Sequence, residues 1–204
     1  MHAALPLRRR ALLTATAGWV LASATGAAHA HGELGPIEPR RPAPGLALTL
    51  HDGRKTTLPR VLQGRWTALQ LMFTGCSASC PVQGAVFGAL QGLVLDSLPG
   101  AQLLSISVDP LSDDAPALER WRRGFGARPQ WLVGSPPVVH GDVMLDFLAG
   151  RNNTPGAGSD RHRAEVTLFD REGRLAFRCA ELASARDIAR ALQALAALDT
   201  RSRR

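Results

Sequence analysis

Residues 66–73, Trp-Thr-Ala-Leu-Gln-Leu-Met-Phe, run directly into Thr74-Gly75-Cys76-Ser77-Ala78-Ser79-Cys80-Pro81 and then into apolar residues at helical spacing. No other stretch constrains the fold so tightly. A nearly continuous apolar run reads as a strand buried on both faces of a parallel or mixed sheet. Val82, Val86, Phe87, Leu90, Leu93, Val94 and Leu98 then repeat with a helical period until Pro99-Gly100 stops the element. The small-residue loop between them holds two sulfurs near a helix N-terminus, where unpaired amides and the helix dipole favour thiolate over thiol.

The alternation of strand and helix continues downstream. Residues 103–108 read as a second buried strand ending at Asp109-Pro110, and Asp113 or Asp114 caps a helix that opens near Pro116 and carries Leu118, Trp121 and Phe125. A short strand at 131–133, a helix at 136–148 and a polar, glycine-containing loop at 150–160 follow. Residues 164–169 and 174–178 form a hairpin around Asp170-Arg171-Glu172-Gly173, and 184–198 is the last helix. Upstream, Leu46, Leu48 and Leu50 alternate with smaller residues, His51-Asp52-Gly53-Arg54 turns the chain, 56–58 returns, and 60–64 is a connector. This order predicts an α/β, thioredoxin-like sandwich: a mixed central sheet flanked by helices, with a short N-terminal hairpin.

At 204 residues the chain holds one compact domain plus tails. Arg8, Arg9 and Arg10 precede an acid-free, Ala-rich stretch, and Ala28-His29-Ala30 fits a small-x-small cleavage site, so 1–30 reads as a signal peptide. Arg9-Arg10-Ala11-Leu12-Leu13 resembles a twin-arginine signal, and 11–30 is also about long enough to stay as a membrane anchor. Residues 31–45, rich in Pro, Gly and charge, read as an extended linker, 46–198 as the domain and 199–204 as a basic tail. The expected location is the periplasm or another exported compartment. Three of the seven net positive charges belong to the signal-like segment, and no Arg/aromatic stripe suits a nucleic acid.

An exported chain with three cysteines leaves at least one unpaired. Cys179, at the end of the strand at 174–178, reads as a small buried hydrophobe. Cys76 and Cys80 can act as redox nucleophiles or as soft-metal ligands, and a bridge closing so small a loop removes little chain entropy, so the pair reads as poised and not as a staple. Among the histidines, His51 falls in a turn and His140 in a helix, neither with a partner at useful spacing, whereas His162 sits just before the hairpin. If cleavage follows Ala30, the free amine and imidazole of His31 can together chelate copper. Asp109 and Asp113 either line the mouth of the site or serve as turn and cap residues.

The cysteine loop, Ser105-Ile106-Ser107-Val108-Asp109-Pro110 with Asp113, His162, and the Asp170-Arg171-Glu172-Gly173 turn together resemble the Sco/SenC family over roughly residues 46–198. The resemblance implies that Cys76, Cys80 and His162 bind copper, and that the protein serves assembly of the copper centre of cytochrome c oxidase. Its partners would then be the copper-centre subunit, or another copper-receiving protein, and a thiol reductant. The chain departs from the usual pattern at Ser77, at Arg161, and in the short 150–160 segment. Two thiolates and an imidazole suit copper(I) without a fourth ligand, whereas structural zinc asks for four. The competing expectation is an enzyme, a thiol-disulfide reductase or thiol peroxidase with Cys76 as nucleophile and Cys80 as resolving thiol. Against it stand the Cys-x-x-x-Cys spacing and the lack of a proline in 161–167.

Overall fold

The computed structural model describes residues 35–149 and 165–201. Its strands are β1 (Gly35–Pro42), β2 (Ala47–Leu50), β3 (Lys55–Thr57), β4 (Trp66–Met72), β5 (Ala101–Ser107), β6 (Trp131–Ser135), β7 (Val166–Phe169) and β8 (Arg174–Arg178). They form one sheet in the order β1-β8-β7-β4-β5-β6-β2-β3. The centre, β4-β5-β6, is parallel, and all the flanking pairings are antiparallel. The helices are α1 (Leu58–Leu62), α2 (Ser79–Val94), α3 (Ala115–Gly124), α4 (Gly141–Ala149) and α5 (Ala185–Arg201).

The apolar run of β4 is continuous because both of its faces are covered. Trp66, Ala68 and Met72 join Phe87 and Leu90 of α2 and Leu192 of α5 in one core, while Leu69 joins Leu58 and Leu62 of α1 and Met144 and Leu148 of α4 in the other. Two βα units, β4-α2-β5 and β5-α3-β6, lie side by side. The loops after β4, β5 and β6 therefore emerge at one edge, where open parallel sheets place their ligands. In α2, Gly84 lets Phe125 pack against the helix, since an added Cβ would run into that ring.

Three segments differ from the sequence expectation. Residues 35–42, read as part of an extended linker, are indeed extended but belong to the sheet, pairing along β8 as an edge strand. Prolines 36, 39 and 42 hide this strand from a hydrophobic-pattern reading; an edge tolerates them because one side of the strand makes no ladder bonds. The expected connector at 60–64 is largely α1, a single short turn of helix that buries Leu58 and Leu62. The last helix continues through 199–201, into the segment read as a tail.

That extension matters because Asp199 is buried. Arg40 of β1 donates from Nη1 to Asp199 Oδ1 at 2.6 Å and to Asp170 Oδ2 at 3.0 Å, and Trp66 Nε1 donates to Asp199 Oδ2 at 3.2 Å. Asp170, fully buried, also accepts from Arg174 Nε at 2.8 Å and from the amides of Glu172 and Arg174. The first strand, the β7–β8 turn and the last helix are thus tied at one node.

Candidate metal centre

The cysteine loop begins where β4 ends. The Cys76 amide donates to the Phe73 carbonyl at 3.2 Å, closing a tight turn over Thr74 and Gly75. Cys80 is the second residue of α2 and only 5 % exposed, whereas Cys76 is half-buried at the surface end of the loop. The two thiols are unbridged. No side chain caps α2 at Ala78. The Cys76 thiol stands just ahead of that helix start, where the amides of Ala78, Ser79 and Cys80 favour its thiolate form.

This arrangement splits the pair. Burial pushes Cys76 up, but the Cys80 side chain and the three helix-end amides together outweigh it and hold the thiol below its ordinary range. Cys80 is pushed up to about 11, chiefly by burial and then by its contact with Cys76, with the Phe73 amide working in the opposite sense. The sequence expectation of thiolate character at the helix N-terminus holds for Cys76 and not for Cys80. As pH rises toward neutral from below, Cys76 gains thiolate first. Treating the reduced protein with a small excess of iodoacetamide near neutral pH is therefore expected to label Cys76 about tenfold or more faster than Cys80. Peptide mapping of the alkylated thiols reads this directly, and equal labelling contradicts the assignment.

The root of the loop is held from outside. Asp113, only 2 % exposed, accepts from the Thr74 amide at 3.0 Å, from Thr74 Oγ1 at 2.5 Å and from Ser107 Oγ at 2.6 Å. The helix cap is its neighbour Asp114, whose Oδ1 accepts from the Ala117 amide at 2.8 Å. Sequence reasoning placed Asp113 near the site but could not choose between two adjacent aspartates for the cap. Asp113 also lines a cleft of about 460 Å³ that separates α3 from the β2–β3 hairpin, with Lys55, Pro110 and Pro137 among its walls.

The other candidates fall as follows. His51 bonds through Nδ1 to the backbone of Val133, and His140 lies in a 3-10 turn after β6, so neither joins the cysteines. Cys179 is buried, and burial followed by the Asp187 charge pushes its thiol up to about 12, as suits an inert core residue. His31 and His162 lie outside the described residues. Arg178 of β8 donates from Nε to the Leu148 carbonyl at 2.9 Å, and the Cys179 amide, just past β8, donates to the Val166 carbonyl at 2.8 Å. Among the described residues, the one group of three potential hard ligands is Asp170, Glu172 and Asp199, and arginines 40 and 174 already pair with it.

Comparison with known proteins decides the relationship. The family model described as SCO1/SenC matches residues 42–197. The chain belongs to the SCO1/SenC family. A curated relative, the mitochondrial SCO2 homolog of Danio rerio, is 36 % identical over 108 residues, which is 52 % of this chain and 38 % of that protein; the match thus spans well under half of the relative's length. Among solved structures, a SCO1/SenC family lipoprotein from Bacillus anthracis superposes with a TM-score of 0.66 at 22 % identity, covering 79 % of this chain and 97 % of its own. Copper-bound Arabidopsis thaliana ScoI gives 0.59 at 17 % identity, over 72 % and 96 % of the two chains. Copper-bound yeast Sco1 gives 0.58 at 18 %, over 74 % and 85 %. The sandwich read from the sequence is this thioredoxin-like Sco fold, with β1 as an edge strand that the sequence reading left out.

Proposed function

We propose that this Sco protein is a copper metallochaperone with thiol-disulfide capability, which delivers copper or electrons for assembly of the copper centre of cytochrome c oxidase. Cys76, Cys80 and His162 hold the ion. The observation that carries this reading is the unbridged pair of thiols four positions apart at the β4–α2 turn of a Sco fold. Two soft sulfur donors side by side match copper(I), and the relatives ScoI and Sco1 have been solved with copper bound.

Chain length supports the third ligand. His162 lies four residues ahead of Val166, whose partner across the ladder is Gln70 of β4. Four residues reach about 14 Å, and the cysteine loop begins three residues beyond Gln70, so the tether is long enough to bring the imidazole to the sulfurs. Copper is cargo in this reading. Cys76, nearer the surface and readier to ionise, is the sulfur that meets an incoming thiol of the receiving subunit, while Cys80 keeps the ion anchored to the core.

The remaining assignments form one picture. Residues 1–30 direct export, the folded domain begins with β1 at Gly35 and runs through α5 to Arg201, and the protein works in the periplasm, released or held by its N-terminal segment. Among the described residues no helix is long and apolar enough to cross a membrane.

The test is titration of the reduced, metal-free protein with copper(I) against a competing chelator. One tight site is expected, and His162→Ala weakens it by about tenfold or more while the thiol count stays the same. A second reading has its own support, because a thiol of lowered pKa beside one of raised pKa also suits a nucleophile and its resolving partner in a reductase or thiol peroxidase. Affinity indifferent to His162, together with turnover of a disulfide or peroxide substrate, selects that reading.

A further inference from the structure

The peptide between Phe73 and Thr74 is gripped from two sides. Thr74 is held through its amide and its hydroxyl by the Asp113 carboxylate. The Phe73 carbonyl in turn accepts the Cys76 amide. Cys76 therefore takes its position from this short stretch of backbone, which runs on through the loop to Cys80 at the start of α2, and the stretch is pinned by a carboxylate from another element. Asp113 belongs to the β5–α3 connection, and Ser107 at the end of β5 holds its Oδ2 at 2.6 Å. An ionised carboxylate accepting several donors in a buried site forms strong and directional bonds.

We propose that Asp113 is the positioning residue of the cysteine pair, fixing through Thr74 the dithiol arrangement of Cys76 and Cys80 and thereby setting the reduction potential of their disulfide. This rests on the redox capability proposed above. The geometry shown belongs to the unbridged pair. The clamp holds the loop in the arrangement of the unbridged pair, so it favours the dithiol.

The experiment equilibrates the full-length protein with reduced and oxidised dithiothreitol. The protein disulfide takes two electrons and two protons from the dithiol reagent, which closes to its own cyclic disulfide. Asp113→Asn is expected to shift the exchange constant toward the protein disulfide by about tenfold, the equivalent of one charge-assisted hydrogen bond present in the dithiol and absent in the bridged form. Thr74→Val, which removes one donor and keeps the volume, shifts it in the same direction by less, and the double variant adds nothing beyond Asp113→Asn. Asp113→Glu recovers part of the shift. Ser107→Ala removes a donor to the same carboxylate that belongs to β5 and not to the cysteine loop, so it lowers thermal stability and leaves the exchange constant in place.

An exchange constant within about twofold of wild type in folded Asp113→Asn or Thr74→Val protein overturns the proposal. So does a shift of equal size in Ser107→Ala, since the carboxylate would then act only through general stability. If Asp113→Asn does not fold, the Thr74→Val and Asp113→Glu measurements decide. Copper titration of the wild type is a separate readout: loss of copper binding there removes the chaperone reading without moving the exchange constants.

Discussion

Cys80→Ala protein is expected to lose tight copper(I) binding, with an affinity weakened by about a thousandfold or more, and to retain its fold. The prediction follows from the donor set. Copper(I) takes two or three soft ligands, and removing one of two thiolates leaves a single sulfur with an imidazole, a far poorer site. Cys80 is also the sulfur that burial holds against the core, so no nearby water or surface group replaces it. Alanine is the right probe, because serine would bury a hydroxyl among Met72 and Phe87. Metal content after dialysis and competition with a copper(I) chelator measure the loss. In cells, oxidase assembly should fail in this variant and in Cys76→Ser; assembly that proceeds normally in both sinks the metal and the redox readings together.

The second large effect lies away from the cysteines. Arg40→Met should destabilise the protein by about 3 kcal/mol, because one guanidinium then no longer faces two buried carboxylates. For a domain of this size that corresponds to a melting temperature lower by roughly 6–12 °C. β1 should loosen before the rest, since Arg40 is its main polar attachment to α5, and limited proteolysis should then cut within residues 35–45. Asp199→Asn on the Arg40→Met background is expected to recover part of the loss by removing one of the two carboxylate charges that faced the guanidinium. A melting temperature unchanged by Arg40→Met would show that the node contributes little.

Much of this architecture could be read from the residues. The strands β4 and β5 announce themselves because they are buried on both faces, and α2 because Phe87, Leu90 and Val94 share one side. The turn at 170–173 and the strand-to-helix placement of Cys76 and Cys80 were legible for the same reason: local chemistry and long-range packing agree there. The illegible parts are those decided by distant partners. β1 has no alternation of its own and exists because β8 offers an edge, and Asp199 looks like a tail residue until Arg40 arrives from the other end. The roles of Asp113 and Asp114 cannot be told apart by spacing, since either fits a cap; only the position of Thr74 separates them. The unequal thiols were equally hidden, because sequence places both near one helix end while depth in the core distinguishes them.

The bond between Arg40 and Asp199 joins residues 159 positions apart. A ribosome making this chain releases the arginine well before the aspartate, so β1 has no anchor on α5 until the residues between them have been translated. Any chaperone that meets the nascent chain before then meets it with that edge of the sheet still unsealed.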